Sequence, residues 1–391
     1  MLILQGGGSL GAFGCGVFKA LANNNIKIDI IAGTSIGGLN ASIISGSKED
    51  HPEKALEQFW LELAEGNDSN PYSPIIEWLS SAYPTPTTTH ADIKDHSAMI
   101  HNWQVKSLIS FYSSAIYGNN KVFVPRWRPE YALTDPQYFT PHDWTYLFDH
   151  SPLVKTLEKY VDYNKLQPNG KANARLIITA VNVLTAEPLI FDSTKQQITS
   201  KHILAATGYP TYYFPWVEVE KGIYAWDGSL LSNTPLREVI EASPVTDKRI
   251  FLVENYPKYT DKLPDNLHEV QHRARDIMFS DKTMHNVQLS KAITYYLRFI
   301  DELYHVLEDC FDMEKKEDKE KFEKVRLKYK KISEEHGAEI KGVYYISRDE
   351  PFPSLYENAD FSLNTIKTSI RDGESKANKV LRDAIVSSEK P

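Results

Sequence analysis

The sequence predicts an α/β fold in which a mostly parallel sheet is sandwiched between helices. Two observations predict it. In the first 65 residues, short apolar runs of strand character alternate with segments whose apolar residues recur at helical spacing. The first two strand-like runs each end in a glycine-rich loop that opens a helix, as expected where strand–helix units stack side by side and their loops gather on one edge of the sheet.

In chain order, residues 1–5 (MLILQ) read as a buried strand. After Gly6-Gly7-Gly8, the apolar residues Leu10, Phe13, Val17, Phe18 and Leu21 mark a helix over 9–22, which Asn23-Asn24-Asn25 stops. Residues 26–32 (IKIDIIA) read as a second strand and 36–45 as a buried helix, and Leu56, Phe59, Trp60 and Leu63 mark a third helix. Between about 70 and 150 the periodicity is lost among prolines (Pro71, Pro74, Pro84, Pro86, Pro125, Pro129) and aromatics (Trp103, Phe111, Tyr112, Tyr117, Phe123, Trp127), which predicts a lid or cap insertion beside a substrate pocket. Strand signals return at 175–182, 188–192, 215–225 and 249–254. Beyond about 264 the pattern is helical, with a solvated, mixed-charge helix over 313–335 and a late strand, 340–347, that joins the sheet before a final helix. The expected organisation is an α/β domain over 1–255, including the 70–150 insertion, with a mostly helical region over 256–391 packed on it.

The hydrophobic fraction of 41% and charged fraction of 25% are those of a soluble globular protein. No apolar run approaches the roughly 18–20 residues of a membrane span, and MLILQGGGSLGAFG lacks the basic n-region of a signal peptide, so a cytoplasmic protein is expected. A net charge of −8 argues against nucleic acid as a partner and against purely electrostatic docking on anionic lipid, but leaves transient apolar contact with a membrane or micelle open. Cys15 and Cys310 stand in unrelated contexts and have no metal-ligand spacing; two reduced thiols are expected.

Gly6-Gly7-Gly8-Ser9-Leu10-Gly11 satisfies G-x-G-x-x-G after a strand and before a helix, and Asp29 lies close to where a ribose-binding acid would fall. Unhindered backbone N–H groups at a helix start attract a pyrophosphate or the oxyanion of a tetrahedral intermediate equally well, so the loop alone leaves a nucleotide-binding protein open. Gly33-Thr34-Ser35-Ile36-Gly37 is G-x-S-x-G between a strand and a helix, the setting of a nucleophile elbow, where glycines at Gly33 and Gly37 avoid clashes in the sharp turn. It follows the glycine loop by one strand–helix unit, so both loops should open on the same edge. A dinucleotide site has no use for a serine there; an acyl hydrolase needs both a nucleophile and an oxyanion hole.

A serine hydroxyl needs an adjacent base. A Ser-His-Asp esterase of the α/β-hydrolase type would place a histidine after the acid, but His285, His305 and His336 fall on charged or helical stretches, and the elbow follows the second strand rather than a later one. The other candidate is Asp227, at the end of a strand in Trp226-Asp227-Gly228-Ser229. On sequence alone an ordinary turn aspartate is the simpler account, since Asp-Gly is a common turn pair.

GGGSLG, GTSIG and DGS in one chain, with the stretch Ala205–Pro210 and Tyr213-Phe214-Pro215 ahead of the aspartate, resemble the patatin-like phospholipase family over roughly residues 1–255. The resemblance implies a three-layer α/β/α fold and hydrolysis of lipid or phospholipid acyl esters by a Ser–Asp dyad without histidine or cofactor. Carried onto this chain, Ser35 is the nucleophile, Asp227 the proton acceptor, the Gly6, Gly7 and Gly8 backbone the oxyanion hole, and Gly228 and Ser229 complete the DG motif. The chain departs from the family pattern at Leu10, where many members carry Arg or Lys, and at Ser229, where many carry Gly or Ala. Finally, His268-Glu269-Val270-Gln271-His272 matches the zinc motif H-E-x-x-H. Pro264-Asp265-Asn266 reads as a helix start, which would put the motif in an exposed first turn without a third ligand, so no bound metal is expected.

Overall fold

The computed structural model describes residues 1–65, 117–243, 247–280, 283–310, 316–336, 340–349 and 357–388. Much of the predicted insertion, with Trp103, Phe111 and Tyr112, lies outside the described residues. The strands are β1 (Leu2–Leu4), β2 (Ile30–Thr34), β3 (Val124–Pro125), β4 (Phe148–Asp149), β5 (Arg175–Asn182), β6 (Pro188–Asp192), β7 (Val217–Glu220), β8 (Ile223–Asp227), β9 (Lys248–Glu254) and β10 (Ile340–Ser347). The helices are α1 (Gly11–Asn23), α2 (Ile36–Ser45), α3 (Pro52–Glu65), α4 (Pro152–Tyr160), α5 (Ser200–Thr207), α6 (Leu236–Ala242), α7 (Leu267–Phe279), α8 (Thr283–Cys310), α9 (Lys316–His336) and α10 (Leu363–Ser388).

The main sheet runs β10-β9-β1-β2-β5-β8-β7, with β6 also paired to β5. Neighbours from β10 to β5 are parallel, and β6, β7 and β8 add antiparallel pairings at the other end. Alternation along each strand divides the core. Leu2, Leu4, Ile31 and Ile178 face α1, α2, α3 and α10, while Ile3, Ala32, Ile177, Ile250 and Leu252 face Leu236 and Val239 of α6. The result is a three-layer α/β/α arrangement with a helical C-terminal part, as predicted. Trp60 and Phe13 are fully buried in the larger layer, where truncating such a ring costs about 3–5 kcal/mol. The indole of Trp60 donates to Asn40 Oδ1 at 3.1 Å, so its burial strands no polar atom.

Several elements fall at the predicted positions, including β5, β6, β10 and α2. The second strand does not: it starts at Ile30, because Lys27 and Asp29 stay exposed, and it runs on through Gly33 and Thr34, which pair with Leu4 and Thr179. The run 215–225 is two strands, split at Lys221-Gly222, where Gly222 takes φ 78° in the turn between β7 and β8. A 3-10 turn over Gly8–Leu10 precedes α1. α10 lies directly on α1: at Gly16 a side chain would collide with the Ile370 carbonyl, and at Gly373 with the Phe13 carbonyl, so glycine lets the two helix backbones touch.

Candidate active site

The register of the sheet brings three loops together. β1 and β2 are parallel neighbours, so Gly6–Gly8 and Ser35 leave the same edge. Thr34, the residue before Ser35, pairs with Thr179, and their hydroxyls meet at 2.7 Å. β8 takes over the same edge of β5 where β2 ends, and its pairing of Asp227 with Ala180 sets Asp227 one step beyond that threonine pair. Two residues distant in sequence thus meet because one strand stops and an antiparallel one begins.

Ser35 sits at the N-terminus of α2 with φ 55° and ψ −130°, a conformation that a residue with a side chain adopts only under constraint. The constraint is visible: a side chain at Gly33 would strike the backbone of Gly37, and one at Gly37 would strike the Leu4 carbonyl. Strand and helix therefore close on each other tightly enough to push Ser35 outward, half-buried, into the cavity.

Asp227 is wholly buried. Desolvation pushes its carboxyl up to about 6, against the Ser229 amide and the neighbouring Ser35 hydroxyl, which favour the charged form. Oδ1 accepts from the Ser229 amide at 2.8 Å, whereas the buried Oδ2 completes no hydrogen bond. A side chain at Gly228 would meet the Thr179 carbonyl at 2.7 Å, so this position too is restricted to glycine. The Ser229 hydroxyl donates to Asn233 Oδ1 at 2.9 Å.

In the glycine loop, Gly7 and Gly8 have φ 149° and 59°. The Gly6 amide is tied to the Asn233 carbonyl at 3.2 Å, so of the three amides those of Gly7 and Gly8 lie outside that tie. A side chain at Gly6 would come within 3.0 Å of Ser35 Cβ, which places the loop against the nucleophile candidate. Gln5 anchors it from below: its Nε2 donates to the Phe279 carbonyl at 3.0 Å and its Oε1 accepts from the Asn255 amide at 2.7 Å. Leu10 packs with Tyr256 and Phe279 in an apolar cluster, where a basic side chain would lose its hydration. The cavity itself is about 380 Å³. Gly7, Gly8, Ser35, Asp227 and Ser229 line it, and Leu39, Phe123, Phe148, Phe214 and Phe361 are among its apolar walls.

The rival readings fare differently. Asp29 is exposed and precedes β2, so it stands at the amino edge of the sheet, across from the glycine loop, and cannot reach a nucleotide ribose bound there. His305 is exposed on α8 beside Asp301 and Glu308. The side chains of His285 and His336 lie outside the described residues. His150, which sequence reasoning did not single out, lines the cavity; its ring meets the Leu204 carbonyl at 3.1 Å, and burial holds it neutral, down to about 4. In H-E-x-x-H, the helix begins as expected: Asn266 caps α7, accepting from the Glu269 amide. His272 is buried, not exposed, and both ring nitrogens are engaged, Nδ1 with Asp276 at 3.2 Å and Nε2 with Arg275 at 2.8 Å. The side chain of His268 lies outside the described residues. Cys15 is buried, which pushes its thiol up, and Cys310 is exposed. Asn233, Gln5 and Asn255, which hold the loop, carry no motif that could have marked them.

Among the described residues no helix is long and apolar enough to cross a membrane. No curated protein matches the chain. A crystal structure of VipD from Legionella pneumophila is similar at 13% identity with a TM-score of 0.40, covering 98% of this chain and 66% of that one. The family model described as patatin-like phospholipase matches residues 2–240, more than half of the sequence and all three loops of the site, and the chain accordingly belongs to the patatin-like phospholipase family, a family of lipid acyl hydrolases.

Proposed function

We propose that the protein hydrolyses carboxylic esters of lipids or phospholipids, with Ser35 as nucleophile and Asp227 as general base. The observation that carries this reading is the Asp227 carboxyl: wholly buried, raised to about 6, with Oδ2 completing no hydrogen bond, and neighbouring Ser35 in the wall of a mostly apolar cavity. A carboxylate is a weak base in water, but desolvation raises its proton affinity toward neutrality, where general-base catalysis is effective. As Ser35 Oγ bonds to the ester carbonyl carbon, its proton passes to Asp227 and the carbonyl oxygen becomes an oxyanion that the Gly7 and Gly8 amides can receive. Collapse breaks the carbon–oxygen bond to the leaving alcohol, which takes the proton from Asp227. Water then repeats the sequence on the acyl-serine and releases the fatty acid. No cofactor or metal enters.

Phe123, Phe148 and Phe214 suit an acyl chain. Tyr213, in the cavity wall, and Leu230 and Leu231, just past Ser229, are exposed apolar side chains that suit transient contact with a lipid surface. We take residues 1–255 as the hydrolase domain and 256–391 as a part that completes it, since β10 extends its sheet and α10 covers α1.

A fluorophosphonate probe tests the reading directly. Labelling should map to Ser35, and Ser35→Ala should abolish both labelling and esterase activity on a medium-chain ester while the protein stays folded; labelling that persists in that variant would refute it. The base adds a second expectation. Because Asp227 must be deprotonated to act, kcat/KM should fall about tenfold per pH unit below about 6 and level off above it. A profile controlled by a group with a histidine-like response that disappears in a histidine variant would contradict it.

A further inference from the structure

We propose that Glu357, clamped between Arg275 and Arg348, is a positioning residue that sets the oxyanion-binding loop from outside the catalytic motifs. The proposal rests on the reading of Gly7 and Gly8 as oxyanion donors. Glu357 is buried, and Arg275 Nη2 and Arg348 Nη2 both reach its Oε1, at 2.8 and 2.9 Å. Arg348 Nη1 lies 3.3 Å from Oε2. Asp276 and His272 complete the cluster around Arg275, with His272 Nε2 3.6 Å from Glu357 Oε1.

Two arms lead from this cluster to the loop. Through the main chain of the clamped residue, the Glu357 carbonyl accepts from the buried Ser9 hydroxyl at 2.6 Å, and the next carbonyl, of Asn358, presses on Gly8 so closely that a side chain there would collide with it. Through Arg348, Nε donates to the Asn255 carbonyl at 2.9 Å, and Asn255 Nδ2 in turn donates to the carbonyls of Gln5 and Gly6 at 3.0 and 3.1 Å. One arm therefore fixes the loop at Gly8-Ser9 and the other at Gln5-Gly6, on either side of the amides that would receive the oxyanion.

A buried cluster of charges is a poor way to gain stability, since an apolar set of the same volume does as well or better. What it supplies is orientation: bidentate and bifurcated guanidinium contacts hold a carboxylate, and hence its backbone, in one place. Orientation is what an oxyanion hole demands, because its donors must stand about 2.7–3.1 Å from an oxygen that exists only in the transition state. A displacement of about 1 Å there costs on the order of 100-fold in rate. The segment 357–361 also supplies Asn358, Ala359 and Phe361 to the cavity wall, so the same clamp holds part of the acyl site.

The test uses the full chain carrying Glu357→Gln, which keeps shape, and Ser9→Ala, which removes one tether without touching the charges. Arg237→Met, in an exposed pair with Glu241 on α6, is the control for loss of a salt bridge alone. Activity is expressed per site titrated to completion by the fluorophosphonate, so that unfolded protein is not counted. Each test variant should lower kcat about tenfold or more with KM within about twofold, and Arg237→Met should change neither. A cluster that only fastens the helical part to the core would instead lower the melting temperature and leave kcat per titrated site intact, which would overturn the proposal. If Ser35→Ala retains activity and labelling, the underlying reading of the site fails and this one with it; if Ser35→Ala is inactive while Glu357→Gln and Ser9→Ala turn over normally, only the clamp is refuted.

Discussion

Asp227→Asn should lower kcat by about 10⁴-fold or more, nearly as far as Ser35→Ala, and at pH 8 it should make the protein more stable. The loss of rate follows from the chemistry. Asparagine keeps the volume and leaves Oδ1 to accept from the Ser229 amide, but it cannot take the serine proton. In a triad the acid only orients an imidazole, and the histidine would be the group whose loss is as damaging. The gain in stability follows from the raised carboxyl. Its folded value of about 6 lies above the ordinary 3.8, so the folded state binds this proton more tightly than the unfolded chain does. That contribution is fully present below the unfolded value and is lost as pH rises through about 6. Above it the fold carries the cost of a buried, desolvated charge, up to roughly 3 kcal/mol from a shift of this size. Asn removes that cost, so its melting temperature should exceed that of the native protein at pH 8 and approach it at pH 4. A variant that keeps more than about a tenth of the native rate, or one that is destabilised at pH 8, would contradict the assignment. So would His150→Gln if it folds normally and is as inactive as Ser35→Ala; the expected loss there is no more than about tenfold.

The second large effect should come from a single methyl group. Gly8→Ala places a Cβ against the Asn358 carbonyl at a residue already held at φ 59°. Either the loop or the 357–361 segment must move, and the Gly7 and Gly8 amides turn with it. Losing an oxyanion donor costs about 10²–10³ in kcat, so a fall of that order is expected, with slower phosphonylation of Ser35 and little change in KM. Rates of the variant and the native protein on one ester, with a circular dichroism spectrum to establish folding, decide the matter. Unchanged kcat in a folded variant would remove Gly8 from the oxyanion site.

The glycine loop and the serine elbow were legible in the sequence because their geometry admits few residue types: a side chain at Gly33 or Gly37 runs into backbone, so the spacing itself carries the turn. Asp227 was harder to read. Nothing local separates a catalytic Asp-Gly from an ordinary turn, and what raises its carboxyl is burial by residues far away in the chain. The misplaced start of β2 misled for a related reason. Ile26 and Ile28 are apolar enough to suggest a strand from 26, and spacing alone suggests Asp29 as a ribose-binding acid, whereas the register with β1 sets Asp29 at the opposite edge from the glycine loop. In the H-E-x-x-H segment, His272 serves a buried ion cluster whose partner, Glu357, stands in a stretch without any motif. Interactions of that kind depend on which distant segments meet, and no local pattern encodes them.

The backbone contact between α1 and α10 bears on how the molecule is made. Helix α1 begins a few residues after the first strand, yet the surface it offers at Phe13, Gly16 and Val17 is covered by residues near 370, and β1 lies between β2 and β9. Native pairings of such high sequence separation bring a large loop-closure cost before they return any stability, so folding should be slow for the size of the chain. On the ribosome, α1 emerges early but waits for the helix that covers it until residues near 370 have been synthesised. A growing chain therefore exposes the apolar face of α1 until then, and the cavity beside Ser35 lacks the wall that Asn358, Ala359 and Phe361 supply. Arrested nascent chains stopped before residue 340 should accordingly react with no fluorophosphonate at Ser35; reaction at the rate of the 391-residue chain would show that the elbow matures without these later segments.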